Sequence, residues 1–264
     1  MSKMIMATIQ KDIENNIAFL RLNRPDVYNS FNREMALQLQ KELDFCASSD
    51  LVRAVVISGN GKAFCAGQDL KEVTDKELNP GFRTILEEHY APIIEKIRNL
   101  KKPVIAAVDG VAAGAGANIA LACDVVVASE RTSFIQAFSG IGLVPDSGGT
   151  FFLPRLIGFQ KASALAMLGD KIKAKEAERM GMIYKVFTVE AFDEEVQKIA
   201  EKMAQMPTMA LGLIKQALNS SMTNSLEDQL KLETELQLKA SESNDYEEGV
   251  TAFLQKRKPE FKGN

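Results

Sequence analysis

The chain is poor in cysteine and nearly devoid of histidine, and it carries neither a strong net charge nor a long apolar run. Cys46, Cys65 and Cys123 are an odd number without C-x-x-C spacing. This argues against a disulfide framework and against a zinc site, and for free thiols in a reduced, cytoplasmic setting. A formal charge of −3 and a pI near 5.5 supply no field for nucleic acid or an anionic membrane, although Lys256-Arg257-Lys258 is a local basic cluster. Met1–Met6 is too short and polar for a signal peptide, because Lys11, Asp12 and Glu14 follow before an apolar run develops. The longest apolar candidate, Val111 to Cys123, falls well short of the ~20 residues of a membrane span and reads as a buried helix. The single histidine, His89, stands in Leu86-Glu87-Glu88-His89-Tyr90, which predicts a solvated position on a charged helix.

What is present is ordinary globular composition, 46% apolar and 25% charged over 264 residues. That is enough for one large α/β domain, or for a core with a smaller appendage. Two β-type runs, 7–9 and 17–22, predict an opening hairpin, and a helical pattern from Asn32 followed by a strand over 53–58 predicts a βα unit. Gly59 to Gly67 reads as a Gly-rich loop, the segment to Leu100 as mostly helical, and 103–108 as a buried strand. A helix from about Ala115 to Cys123 then leads into a strand over 124–128. Strand and helix therefore alternate as in α/β layering, with the chain spiralling. Beyond Phe151 helices are expected near 159–169, 174–180, 190–205, 208–221, 225–240 and 243–256, with one strand over 184–187. The amphipathic 225–240 segment must bury one face against the core or a second subunit.

Two loops have the composition of an oxyanion site. Phe64-Cys65-Ala66-Gly67-Gln68-Asp69-Leu70 is a strand ending in a Gly turn, and Gly114-Ala115-Gly116 opens a helix whose dipole adds partial positive charge. Peptide N–H groups converging there would stabilise a carbonyl oxygen gaining negative charge. A third loop, Pro145-Asp146-Ser147-Gly148-Gly149-Thr150, sets one carboxylate beside two glycines. Asp146 there is either an acid/base group or a cap of the helix beginning near Gly149.

The segments FCAGQDL, DGVAAGAGANIALACDVVVAS and GLVPDSGGT resemble the enoyl-CoA hydratase/isomerase (crotonase) family from about Ile17 to Lys262. Within it, AFSGIGLVPDSGGTFFLPRLIG and DYEEGVTAFLQKRKPEFKGN are similar to the isomerases that rearrange ring-epoxidised phenylacetyl-CoA. The resemblance implies an α/β fold with a ββα spiral core over 1–200 and a C-terminal helical subdomain over 201–264 for oligomerisation and site completion. It implies an acyl-CoA thioester substrate, no separate cofactor or metal, and a homotrimer or dimer of trimers. The backbone N–H groups of Gln68 and Ala115 are the implied oxyanion donors and Asp146 the acid/base residue. Arg24, Val27, Tyr28, Ala66, Gln68, Asp69, Leu70, Phe253 and Lys256 are the implied CoA contacts, although a basic cluster at a chain end is equally read as solvated charge.

The family's hydratases carry two water-activating glutamates where this chain has Asn118 and Phe138. Neither side chain transfers protons at neutral pH, so the expectation is isomerisation of a ring epoxide or of a 3-enoyl-CoA. The alternatives are a hydratase, and a non-catalytic relative that binds a CoA thioester or RNA.

Overall fold

Strands β1 (Ile9–Glu14) and β2 (Ile17–Leu22) pair antiparallel with Glu14 opposite Ile17. Asn15 and Asn16 between them both take positive φ, 50° and 63°, the backbone that a two-residue hairpin with the native strand twist requires. This is a computed structural model describing residues 7–264, so the expectation for Met1–Met6 lies outside the described residues. Helix α1 (Arg33–Ser48) starts where the Asn32 side chain accepts from Met35 N at 3.0 Å, and it buries Met35, Leu39, Leu43 and Cys46 along one face.

The chain then winds through three turns of a strand–strand–helix spiral. The first is β3 (Ala54–Gly59), β4 (Ala63–Cys65) and α2 (Leu70–Thr74). After α3 (Phe82–Thr84), a π-helical turn over Ile85–Tyr90 and α4 (Ala91–Asn99) come β5 (Val104–Val108), β6 (Val111–Ala113) and α5 (Ala115–Leu121). The third is β7 (Val125–Ser129), β8 (Ser133–Ile135) and α6 (Gly149–Ile157). The first strand of each turn enters a six-stranded sheet of order β1-β2-β3-β5-β7-β10, and the second enters a four-stranded sheet of order β4-β6-β8-β9. The step between sheets is tight: a Cβ on Gly110, where φ is 78°, would sit 2.1 Å from the Lys62 carbonyl oxygen. Only glycine fits there.

Helix α7 (Phe159–Leu168), β9 (Lys171–Lys173), α8 (Ala174–Arg179) and β10 (Lys185–Phe187) complete the sheets, and α9 (Phe192–Gln205), α10 (Thr208–Ser221), α11 (Leu226–Ser241) and α12 (Asn244–Leu254) follow. The large sheet is buried on both faces. Ile17, Phe19, Ala54, Val56, Ile105, Ala107 and Val127 pack against Phe192, Val196 and Ala200 of α9, while the alternate residues of the same strands join the main core with α1, α4 and α5.

Several sequence expectations are corrected. The 59–67 loop contains β4, and the apolar 111–123 run is not one helix but β6, a glycine turn and α5. Strands β8 and β9 were not anticipated, because three-residue strands are too short to show a period. His89 is not solvated: it is 1% exposed, with Nε2 3.2 Å from Arg33 Nη1, and burial lowers its pKa. The amphipathic helix α11 lays one side on α10, where Gln229, Leu232, Leu236 and Ala240 are half-buried, and none of its residues is fully buried within the chain.

Candidate active site

The two predicted oxyanion loops are neighbours because β4 and β6 are adjacent parallel strands. Their register sets Cys65 opposite Ala112. The third residue after Cys65 is Gln68 and the third after Ala112 is Ala115, so both turns leave the sheet at the same edge and level. A Cβ on Gly67 (φ 95°) would lie 3.0 Å from the Ala113 carbonyl oxygen and 3.6 Å from Ala115 N. The two backbones touch at this point.

Neither backbone amide is engaged among the described residues. Gln68 forms an isolated parallel bridge with Phe31, in which Phe31 N donates to Gly67 O at 2.7 Å and Asp69 N donates to Phe31 O at 2.8 Å. These bonds flank Gln68, whose own N–H therefore points away from Phe31. Ala115 is the first residue of α5, behind Gly114 in the left-handed region at φ 53°. Its amide is among those that no helical carbonyl reaches. Neither N–H has an acceptor among the described residues. Helix α5 is drawn close to β4 because residue 116 is glycine: a Cβ there would sit 2.6 Å from Cys65 Cβ, O and Sγ. Cys65 itself is fully buried and its thiol is pushed up to about 12 by burial, so it is inert packing.

The Gln68 side chain is held by two hydrogen bonds. Tyr90 Oη donates to Gln68 Oε1 at 2.8 Å, and Gln68 Nε2 donates to Glu72 Oε2 at 2.8 Å. Tyr90 is 1% exposed. Burial, reinforced by negative charge including that of Asp146, keeps its phenol protonated well above the ordinary range.

Asp146 is half-buried in the loop before α6, and burial raises its pKa above the ordinary carboxylate value. The capping alternative fails. Helix α6 opens from Gly148 without a side-chain cap, and Asp146 Oδ1 instead accepts from Ser147 Oγ at 2.8 Å. The Asp146 backbone carbonyl accepts from Gly149 N and from Asn118 Nδ2, each at 2.8 Å. Asn118 is fully buried and Phe138 is 6% exposed, with its ring near the Gly114 turn. The two positions at which the resemblance sets the hydratase glutamates thus hold a hydrogen-bonded amide and an apolar ring.

The expected CoA residues divide into two groups. Arg24, Val27 and Tyr28 lie beside Ala66, Asp69 and Leu70: Ala66 N donates to Tyr28 O at 3.0 Å, and Arg24 Nη2 pairs with Asp69 Oδ2 at 2.8 Å. Asp69 also caps α2 through Lys71 N at 3.0 Å, so both charges of this pair are engaged within the protein. Val27, Tyr28 and Leu70 are exposed around it. Phe253 and Lys256 form no hydrogen bond to either loop, and Phe253 is 82% exposed. The tail behind them is anchored where Arg53 Nη1, just before β3, donates to Phe261 O at 2.8 Å.

Sequence reasoning missed Tyr90, Glu72, Gln136 and Asn29. Asn29 ties the 24–30 loop to the β3–β4 turn by donating to Asn60 O at 2.9 Å and Ala63 O at 2.7 Å. Each acts through contacts 4 to 34 residues away in sequence, and no local motif marks them. Among the described residues no cluster of three or more His, Cys, Asp or Glu side chains is arranged to hold a metal, and no helix is long and apolar enough to cross a membrane.

The sequence pattern of the enoyl-CoA hydratase/isomerase family matches residues 12–264. The chain is 45% identical to 1,2-epoxyphenylacetyl-CoA isomerase of Escherichia coli (strain K12) over 98% of its own length and 100% of that protein's. It is 36% identical to 2,3-dehydroadipyl-CoA hydratase of the same organism, over 100% of both. The crystal structure of an enoyl-CoA hydratase from Bacillus anthracis superposes with a TM-score of 0.90 at 33% identity, over 97% of this chain and 100% of that one. The spiral is therefore the crotonase-like α/β fold, and the chain belongs to the enoyl-CoA hydratase/isomerase family.

Proposed function

We propose that the protein is an acyl-CoA isomerase that needs no cofactor. The observation that carries this reading is a part-buried carboxyl, Asp146, tied through Asn118 to the helix whose first N–H is that of Ala115, while no ionisable group occupies position 118 or 138. The thioester carbonyl oxygen accepts from the N–H groups of Gln68 and Ala115, which lowers the barrier to enolate formation. For a 3-enoyl-CoA, the Asp146 carboxylate takes a proton from carbon 2. The electron pair delocalises into the thioester, and the same proton returns at carbon 4 to give the 2-enoyl product. For ring-1,2-epoxyphenylacetyl-CoA, the same site assists opening of the epoxide and ring expansion to the oxepin, with no atom gained or lost. The raised pKa of Asp146 suits a group that must both take and release a proton.

The CoA moiety is assigned to the 24–28 and 66–70 loops. Phe253 and Lys256 are assigned to a neighbouring subunit's site in a homotrimer or dimer of trimers, with the 201–264 helices forming the subunit contact. Phe159, Met167 and Leu226, each at least 74% exposed, are the apolar surface such an assembly would cover.

Asp146→Asn is expected to abolish turnover of both 3-hexenoyl-CoA and ring-1,2-epoxyphenylacetyl-CoA, followed by product mass and ultraviolet spectrum, while leaving the circular dichroism spectrum unchanged. Full activity in that variant refutes the assignment. Rapid loss of the enoyl band with crotonyl-CoA would favour hydration instead.

A further inference from the structure

We infer that Asn118 is a positioning residue that sets the spacing between the oxyanion donor and the base, and that Gln136 and Gly149 exist in this chain to hold it in one orientation. The inference rests on the reading of Asp146 as the base. Asn118 lies on α5, the third residue after Ala115, and is fully buried. Its two polar ends are used in opposite senses: Oδ1 accepts from Gln136 Nε2 at 2.8 Å, and Nδ2 donates to the Asp146 carbonyl at 2.8 Å.

A carbonyl oxygen accepts only, so the amide NH₂ must face Asp146. Gln136, 4% exposed, presents its own NH₂ to Oδ1 and thereby fixes the flip. Space for this arrangement comes from residue 149: a Cβ there would lie 2.3 Å from Asn118 Nδ2 and 2.7 Å from its Cγ. Gly149 N also donates to the Asp146 carbonyl, so that oxygen is held twice. The following residue, Ser147, sits at φ 51° and turns its hydroxyl back onto the Asp146 carboxylate. The carboxylate is thus located by its own peptide plane, and that plane is located by α5. One rigid helix carries the Ala115 donor at its tip and the anchor of the base one turn later.

Three variants disturb the anchor by different physics. Asn118→Asp keeps the bond from Gln136 and replaces the donor to Asp146 by a repelling oxygen. Gly149→Ala removes no polar group but pushes Asn118 aside. Gln136→Met leaves Asn118 Oδ1 without its donor, so the amide is held from one side only. With whichever of 3-hexenoyl-CoA or ring-1,2-epoxyphenylacetyl-CoA is turned over, Asn118→Asp and Gly149→Ala are expected to lower kcat about tenfold or more, since ~1 Å of misplacement reaches about 100-fold. Gln136→Met should give a smaller loss in the same direction. KM, and the affinity for an unreactive acyl-CoA thioether measured by calorimetry, should stay within about twofold in all three. The acidic limb of the kcat/KM profile should move to higher pH in Asn118→Asp, which adds a negative charge beside Asp146, and not in Gly149→Ala.

Wild-type kcat in Gly149→Ala and Gln136→Met overturns the inference even if Asn118→Asp fails to fold, and so does a loss of thioether affinity that matches the loss of kcat. Asp146→Asn, assayed in parallel, separates the two levels. If it is active, the base assignment fails. If it is inactive while the anchor variants behave as wild type, only the positioning role fails.

Discussion

Gly116→Ala tests whether the close approach of α5 to β4 is what assembles the proposed oxyanion site. The added Cβ would meet Cys65 Cβ, O and Sγ at 2.6 Å, about 1 Å inside ordinary van der Waals contact between carbon atoms. Cys65 cannot yield, because it is fully buried and its carbonyl belongs to the backbone of β4. The helix must therefore withdraw by roughly 1 Å and take the adjacent Ala115 N–H with it. Overpacking of a filled core destabilises by about 1–3 kcal/mol, which for a chain of this size lowers the melting temperature by roughly 2–12 °C. A displaced oxyanion donor loses up to about 3–4 kcal/mol of transition-state stabilisation, or 100- to 1,000-fold in kcat. The assay is kcat for isomerisation at 25 °C, well below the melting transition of the variant, with melting followed by circular dichroism. Gly140→Ala serves as the control, since nothing lies within 4 Å of a Cβ at that position. A Gly116→Ala enzyme with kcat within twofold of wild type and an unchanged melting temperature would refute the argument.

Asp146 also makes a prediction about stability. Burial raises its folded-state pKa, so the native state binds the proton more tightly than the unfolded state. Its contribution is fully present below the unfolded carboxylate pKa and is lost as pH rises through the folded one. Asp146→Asn should therefore melt higher than wild type at pH 7, with the difference shrinking toward pH 4; a lower melting temperature at pH 7 would contradict this. Lys215 is 6% exposed, and its Nζ bonds Ile97 O at 2.6 Å and Asp124 Oδ2 at 2.7 Å. Lys215→Ala removes one of the two cations on the Asp124 carboxylate and leaves Oδ2 with only the Val104 N–H at 2.8 Å, which should lower unfolding free energy by about 3 kcal/mol in urea titration. A change below about 1 kcal/mol would show that Arg98, 3.2 Å from Asp124 Oδ1, and the Val104 amide suffice.

The sequence by itself determined the alternation of buried strands and helices, the glycine turns at Gly67 and Gly114, and the absence of an ionisable group at positions 118 and 138. These are local properties: a period, a positive φ, a side-chain chemistry. It also sufficed to recognise the family, because long contiguous segments carry that likeness. It did not reveal strands of three residues, which are too short for a period. Nor did it reveal that His89 is buried, since a charged helical neighbourhood says nothing about what packs over it. Only the tertiary structure decided which groups meet. The β4–β6 register puts Gln68 level with Ala115, Tyr90 reaches the Gln68 side chain across 22 residues, and the polarity of the Asn118 amide is set by Gln136 on one side and by Asp146 on the other. The physical reason is the same in each case: a hydrogen bond between distant segments depends on distance and direction in space, and neither residue type nor local periodicity encodes them.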